Sequence, residues 1–473
     1  MEVQSYSGPE FSPYDDGMNL HAPEPGPWLA PTAGAPLAAS IRLPGSKSLT
    51  NRELVLAALA DGPSLLRAPL HSRDSALMIE ALRSLGVQID EVPTDAVPSN
   101  SVFGPDLRVT PGELSGGTSI DCGLAGTVMR FMPPVAALAL GPVGFDGDAS
   151  ARRRPMRTTI DSLRSLGVDV TDDGRGTLPF SLYGTGEVLG GDLEIDASAS
   201  SQFVSGLLLA APRFTNGLRL RHTGERLPSI PHIDMTIATL VARGVRASSP
   251  EPGFWVVEPG PIAALDVDLE PDLSNAAPFL VAALVAGGTV TIEGWPAETT
   301  QVGADLEAIL PRFGATVTRD GSALTVDGRA GVVGGTLPPG VDLDLSRGGE
   351  LAPAIVALAA FASGPSRITG IAHLRGHETD RLAALAAELN GLGASVTELD
   401  DGLAIEPATL HGGDWHTYED HRMATAGAIV GLAVEGVEID DIATTAKTLP
   451  QFPALWRDLL RGPHATVDTV GIL

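Results

Sequence analysis

One pattern recurs through this chain at nearly even spacing: an Ala- and Leu-rich helical stretch, a glycine, then the start of an extended run. Leu-Arg-Ser-Leu-Gly-Val stands at 82–87 and again at 163–168. Val-Ala-Arg-Gly-Val at 241–245, Pro-Arg-Phe-Gly-Ala at 311–315 and Asn-Gly-Leu-Gly-Ala at 390–394 occupy equivalent places. A glycine just past a helix supplies the left-handed turn that other residues resist, so each of these motifs reads as a helix end followed by a strand. The five glycines lie 81, 77, 70 and 79 residues apart. Each unit also has an earlier helix closed by a small turn, as at Leu56–Gly62 and Leu280–Gly288. Helix, strand, helix, strand thus repeats about six times, counting a truncated last unit. A period near 75 exceeds the roughly 20–50 residues of solenoid repeats. It suits small α/β subdomains assembled into larger domains.

At 473 residues the chain is too long for one ordinary core. The Pro- and Gly-rich stretch Glu258–Ala264 marks the neighbourhood of a domain crossing, while 91–101 and 331–340 read as surface connections. The N-terminal segment up to Trp28 holds five acidic residues and no Lys or Arg. It resembles neither a secretory signal nor a basic transit peptide and is expected to be a disordered extension. A net charge of −27 argues against a nucleic-acid partner. An anionic small molecule is compatible with it only where Arg and Lys gather locally. The single cysteine, Cys122, excludes an internal disulfide and a Cys-based zinc motif, and a reducing cytoplasm is the natural compartment. No apolar run approaches the roughly 18 residues of a membrane span, so a soluble protein is expected.

Only two lysines, Lys47 and Lys447, stand among the 31 basic residues. Arg replaces Lys wherever a fixed charge suffices, but not where a compact ammonium with a movable pKa is needed. Lys47 belongs to one of four short turns that lead into apolar helices. These are Gly45-Ser46-Lys47-Ser48, Ala125-Gly126-Thr127, Ser200-Ser201-Gln202, and His377-Glu378-Thr379-Asp380-Arg381. Helix starts present unpaired N–H groups and partial positive charge. Any one of these turns is explained by capping; together, carrying Lys47, Arg52, Arg130 and Arg381, they point to a site for two or more anionic groups. Asp420-His421-Arg422 is a further start of the same kind. The first turn is not a nucleotide P-loop, because the upstream Gly of GxxxxGK[ST] is replaced by Ser40. His373, His377 and Glu378 lack the HExxH order and are interrupted by Gly376, so no metal is expected.

The stretches LPGSKSLTNR, AGTVMR, RRRP, DASASSQF, HETDRL, EDHRM and TAKTLP follow one another between residues 43 and 450. In this order they resemble the enolpyruvyl transferases, and within them the branch acting on shikimate 3-phosphate; the resemblance spans roughly 33–465. It implies an α/β fold of two similar domains, each of three βαβαββ subdomains, in an inside-out α/β barrel. The implied boundaries are 1–32 for the extension, 46–267 for the first domain, and 33–45 with 268–473 for the second. The implied reaction moves the enolpyruvyl group of phosphoenolpyruvate to the 5-hydroxyl of shikimate 3-phosphate, releasing phosphate, without a cofactor. By motif, Lys47, Glu350 and Glu378 would be catalytic, with Glu378 delivering a proton to C3. Lys47, Ser48, Arg52, Ser200, Ser201, Gln202, Ser229, Glu350, His373 and His377 would hold shikimate 3-phosphate. Lys47, Gly126, Arg154, Gln202, Arg381, Arg422 and Lys447 would hold phosphoenolpyruvate. A cytoplasmic monomer is expected, and a target of glyphosate, which occupies the phosphoenolpyruvate site in this family.

Several positions depart from the family pattern. Glu350 replaces Asp, His377 replaces Lys, and His373 replaces Asn, so the charge at 377 is expected to fall near neutral pH. Leu124 stands for Asn before Ala-Gly-Thr, and Phe131 for Pro after Arg130. Two rivals follow from these facts. A sister enzyme acting on UDP-N-acetylglucosamine would need a reactive Cys before Arg-Pro, and 148–155 has none. A non-catalytic binding protein on the same fold is the other.

Overall fold

The five glycines of the repeat all have positive φ in the computed structural model: +101° at Gly86, +89° at Gly167, +76° at Gly244, +94° at Gly314 and +92° at Gly393. They follow helices Arg73–Ser84, Arg157–Ser165 and Ile230–Ala242, the 3₁₀ turn Leu310–Phe313, and helix Arg381–Gly391. The strands Gln88–Val92, Asp169–Thr171, Ala247–Glu251, Thr316–Asp320 and Ser395–Leu399 come next. The structure describes residues 23–93 and 103–461. Most of the expected N-terminal extension and of the 91–101 connection lies outside them.

Six sheets carry the repeat. In one, Thr118–Asp121 runs parallel to Leu140–Asp146, which pairs antiparallel with Phe180–Thr185, itself antiparallel to Asp169–Thr171. Helices Gly126–Ala136 and Arg157–Ser165 fill the two connections, giving βαβαββ; the parallel pair requires such a crossover. The sheets containing Gly191–Ile195 and Asp342–Asp344 repeat the order. Two others exchange a strand. Leu37–Ile41 pairs with Gly288–Glu293, far along the chain, while Val267–Asp268 returns to pair with Ser64–Arg67. The sixth sheet is completed by Trp28–Leu29 beside Val437–Ile439.

Apolar burial divides in the same way. One core gathers residues from Leu54 to Leu269, the other joins Ala30–Leu43 to Leu273–Leu459. The chain passes between them twice, and the passages lie side by side. Ser46 N–H donates to Glu270 O (2.7 Å) and Asp272 N–H to Pro44 O (2.9 Å). Only glycine fits at 45, where a Cβ would collide with the carbonyl oxygen of Ala68. Helix Leu273–Ala286, apolar on all sides, is buried at every residue but Ser274. No helix among the described residues is long and apolar enough to cross a membrane.

The repeat glycines differ in surroundings, which isolates their backbone role. A Cβ at Gly167 would meet nothing within 4 Å, so Gly167→Ala tests φ alone. It should lower unfolding free energy by about 1–2 kcal/mol in urea titrations, and Gly167→Asn by less. An unchanged midpoint for the Ala variant would remove the left-handed turn as the reason for glycine there.

Candidate active site

Seven helices begin at one cleft. From the first core come Lys47–Ala58, Gly126–Ala136, Gln202–Ala210 and Ile230–Ala242; from the second, Leu273–Ala286, Arg381–Gly391 and His421–Gly431. All seven direct first-turn N–H groups and the positive ends of their dipoles toward one region. Five were legible as polar turns leading into apolar runs. The start at Leu273 was not singled out, although Asp272 caps it by accepting from Asn275 N–H (2.9 Å).

Fifteen of the sixteen site residues expected from sequence line this cleft, and Lys447 lies directly behind it. Ser48, Ser200, Ser201, Gln202 and Ser229 share the wall made by the first core. Gln202 Oε1 is buried without a hydrogen-bond partner among the described residues, an acceptor left open to a donor in the cleft. Arg52 is differently placed from the expected free phosphate ligand. Its guanidinium donates to Thr236 Oγ1 (2.8 Å), Ser48 O (2.8 Å), His232 O (2.8 Å) and Ser205 Oγ (3.4 Å), and lies over the Phe131 ring. Most of its donors are committed to shaping the wall.

The opposite side gathers cations around Glu378. Its carboxylate is 3.0 Å from Arg381 Nη2, 3.5 Å from Lys447 Nζ and 3.9 Å from Arg154 Nη1. Burial pushes this acid up, but Arg381, Arg154 and Lys447 together hold it well below the usual carboxylate range. Asp420 fixes Arg381 from behind through bonds of 2.7 and 3.1 Å. Asp74, itself on the cleft wall, holds Lys447, which donates to both Asp74 oxygens (2.8 and 2.9 Å) and to Leu124 O (2.9 Å). Lys47 Nζ stands 3.7 Å from Asp74, beyond a hydrogen bond. Burial lowers the Lys47 ammonium below its ordinary value, with Asp74 opposing and Lys447 adding to the shift.

Glu350 projects from the turn Gly349–Leu351. Oε1 accepts from Ser274 Oγ (2.9 Å), and His232 Nε2 lies 3.1 and 3.0 Å from the two carboxylate oxygens. Burial raises its pKa, but His232, Arg422 and Ser274 outweigh that and leave it ionised. His373 and His377 stand nearby, ring centres 5.6 Å apart. Burial, reinforced by Arg381, keeps His377 neutral well below the ordinary histidine range, and burial lowers His373 to about 4. The expected loss of charge near neutral pH is therefore displaced toward acid: in the free cleft both rings are already neutral at pH 7.

Sequence reasoning missed Asp74, His232, Ser274 and Asp272, which stand within or beside helix starts and look like ordinary caps. Arg130, offered by its helix start as an anion ligand, turns away instead. It is buried over the Phe203 ring and donates to Pro155 O (3.2 Å). The Leu124 departure also has a physical account. This residue serves the site through its carbonyl, which accepts from Lys447 and from Arg154 Nη1 (3.3 Å), so its side chain is free to join the core.

The family model described as EPSP synthase (3-phosphoshikimate 1-carboxyvinyltransferase) matches residues 31–456. A 3-phosphoshikimate 1-carboxyvinyltransferase of Kocuria rhizophila is 59% identical over 439 residues, covering 92% of this chain and 96% of that protein. Among solved structures, an EPSP synthase of Acinetobacter baumannii superposes with a TM-score of 0.73 at 24% identity, covering 92% of this chain and 98% of that one. The enolpyruvyl transferase NikO of Streptomyces tendae gives 0.72 at 18% identity, with the same coverage. At these identities the two structures speak to the fold, which they share with this chain.

The neutral histidines fix a pH dependence of stability. His373 has a folded value near 4 against 6.5 ordinarily, and His377 and His421 are lowered in the same direction. Between these limits the unfolded chain binds the protons that the folded chain refuses, so stability falls as pH drops from about 6.5 toward 4. The slope is about 1.4 kcal/mol per pH unit for each such ring. Urea midpoints of the ligand-free protein should fall across this window, and less steeply in His373→Asn. Parallel curves would mean that His373 is charged when folded.

Proposed function

The chain belongs to the EPSP synthase family, and from that premise we propose how its cleft performs the transfer. The activity is movement of the enolpyruvyl group of phosphoenolpyruvate to the 5-hydroxyl of shikimate 3-phosphate, with release of phosphate. One observation carries the assignment of roles: two ionised carboxylates face one cleft, Glu378 ringed by cations and Glu350 held by neutral and imidazole donors.

Phosphoenolpyruvate binds where Glu378 gathers positive charge, to Lys47, Arg154, Arg381 and Arg422, with Gly126 and Gln202 on its flank and Lys447 adding its charge from behind the wall. Bidentate guanidinium contacts suit both its carboxylate and its phosphate. Shikimate 3-phosphate binds along Ser48, Ser200, Ser201, Gln202 and Ser229, with Lys47 between the substrates. Arg52 backs this wall and reaches the phosphate only with its remaining donor capacity. Glu350, His373 and His377 face the ring hydroxyls. Holding two polyanions together is repulsive by several kcal/mol at short range unless fixed cations offset it. An incoming phosphate would also draw His377 back toward its charged form.

In the addition step, Glu350 takes the proton of the 5-hydroxyl as its oxygen bonds to C2 of the enol. The C2–C3 π pair takes a proton at C3. Lys47, its ammonium acidified by burial, is the better donor for that proton, because Glu378 is ionised among its cations. The tetrahedral adduct then loses phosphate from C2 and a proton from C3, and Glu378 is placed to accept that proton. This order differs from proton delivery by Glu378, the role implied by the motif alone.

The cleft is formed by the two halves of a single chain, so a monomer would suffice as the working unit. The single cysteine is buried, in keeping with a cytoplasmic protein. Glyphosate would compete at the cation-rich end.

Mixing the protein with both substrates should release inorganic phosphate; intact binding without release would favour the non-catalytic reading. Lys47→Arg should fold normally and lose at least about a hundredfold in turnover, since a guanidinium is too weak an acid to protonate C3. A methyl group at 126 would sit 2.9 Å from Gln202 Oε1 and 3.2 Å from Arg154 Nη2. Gly126→Ala should therefore raise KM for phosphoenolpyruvate about tenfold, and that for shikimate 3-phosphate far less. Equal changes in both constants would displace Gly126 from the phosphoenolpyruvate end.

A further inference from the structure

His232 and Glu350 belong to different halves of the molecule. His232 lies in the first turn of Ile230–Ala242, which packs with the first core, and Glu350 in the turn Gly349–Leu351 of the second. A carboxylate only accepts hydrogen bonds, so the imidazole presents its Nε2–H to the two oxygens at 3.1 and 3.0 Å. The ring is anchored through its own backbone: His232 O accepts from Arg52 Nη2 (2.8 Å), Thr236 Oγ1 (3.0 Å) and Ser205 Oγ (3.4 Å). One residue group earlier, Ser229 is held left-handed at φ +53° while its N–H donates to Ser346 O (3.1 Å) of the other half. Two contacts thus tie the start of this helix to the segment that carries Glu350.

From this geometry we infer that His232 is the positioning residue of the catalytic base, orienting Glu350 across the cleft only when the two halves are together. The inference rests on the base role assigned to Glu350 above. A glutamate has one more rotatable bond than an aspartate, and fixing that bond requires donors. Ser274 and His232 both reach Oε1, whereas Oε2 accepts only from His232 among the described residues. Oε2 therefore keeps a lone pair for the substrate hydroxyl. Separating the halves would remove the His232 contact and leave Glu350 to Ser274 alone.

Two substitutions of similar polarity separate the roles of the two ring nitrogens. The amide nitrogen of Gln extends to the place of Nε2, while that of Asn stops at the place of Nδ1. Phosphate release is measured at saturating and limiting substrate, with urea midpoints to verify folding. His232→Gln should keep kcat within about threefold of wild type. His232→Asn should lower kcat at least about tenfold with KM for phosphoenolpyruvate changed by less than about twofold. In the Glu350→Gln background, His232→Asn should add nothing, because its only route is through that carboxylate. Undiminished kcat in a folded, active His232→Asn protein overturns the inference, as does an equal loss in the Glu350→Gln background. Absence of phosphate release from the wild type overturns the base assignment itself, and the inference with it.

Discussion

A shared carboxylate joins the two halves where the chain passes between them. Asp272 accepts from Lys47 N–H through Oδ2 and from Asn275 N–H through Oδ1, both at 2.9 Å. It thereby caps two helices at once, Lys47–Ala58 on one core and Leu273–Ala286 on the other. A cap of this kind contributes about 1 kcal/mol to a single helix. Here its larger effect is geometric, because the residue that begins the first helix is the cleft lysine and the second residue of the other helix is Ser274. Around it, Glu270 accepts from Gln301 Nε2 (2.8 Å), and Gln301 Oε1 accepts from Leu273 N–H (3.1 Å). The two chain passages, the closest covalent link between the halves, are stiffened by groups that also place Lys47 and Glu350.

The cleft could not hold its cations by dipoles alone. A buried charge without a partner is costly by several kcal/mol, and the structure answers with a buried carboxylate beside each cation. Asp420 stands behind Arg381, and Asp74 lies between Lys447 and the cleft, both carboxylates buried. Arg243 and Glu53 form a comparable pair, 2.8 Å apart and closed to solvent, but they lock Ile230–Ala242 to Lys47–Ala58 and do not line the cleft. Glu378 differs from all of these. It lies in front, among three cations that an anionic ligand would also seek, so ligand binding and the protonation of this acid are linked.

The period of the glycines was legible because a left-handed backbone leaves few alternatives to glycine, and the helix starts because Gly, Ser and Lys stand out before apolar runs. The exchange of Leu37–Ile41 and Val267–Asp268 between sheets was not legible in strand patterns, since partners separated by some 200 or more residues are chosen by tertiary packing. Arg52 and Arg130 show the limit most plainly. Both sit four or five residues into a helix that starts at the cleft, yet one packs on Phe131 as part of the wall and the other is buried over Phe203. Nothing local distinguishes them. Asp74, His232 and Ser274 escaped for the opposite reason, because polar residues in a first turn are ordinarily caps and these acquire their role only from groups on other elements.

The two lysines, alike in composition, are unlike in place. Lys447 is engaged: its ammonium bonds the Asp74 carboxylate through both oxygens and Leu124 O, and it does not line the cleft. Lys47 has only a distant carboxylate, 3.7 Å away, and remains partly open to the cleft. The first is retained for shape and the second for acidity. Lys447 also explains the behaviour of its neighbour, since its fixed charge is one of the forces lowering the Lys47 ammonium. Burial is the larger cause of that lowering, and Asp74, bonded to Lys447 and 3.7 Å from Lys47, opposes it only in part.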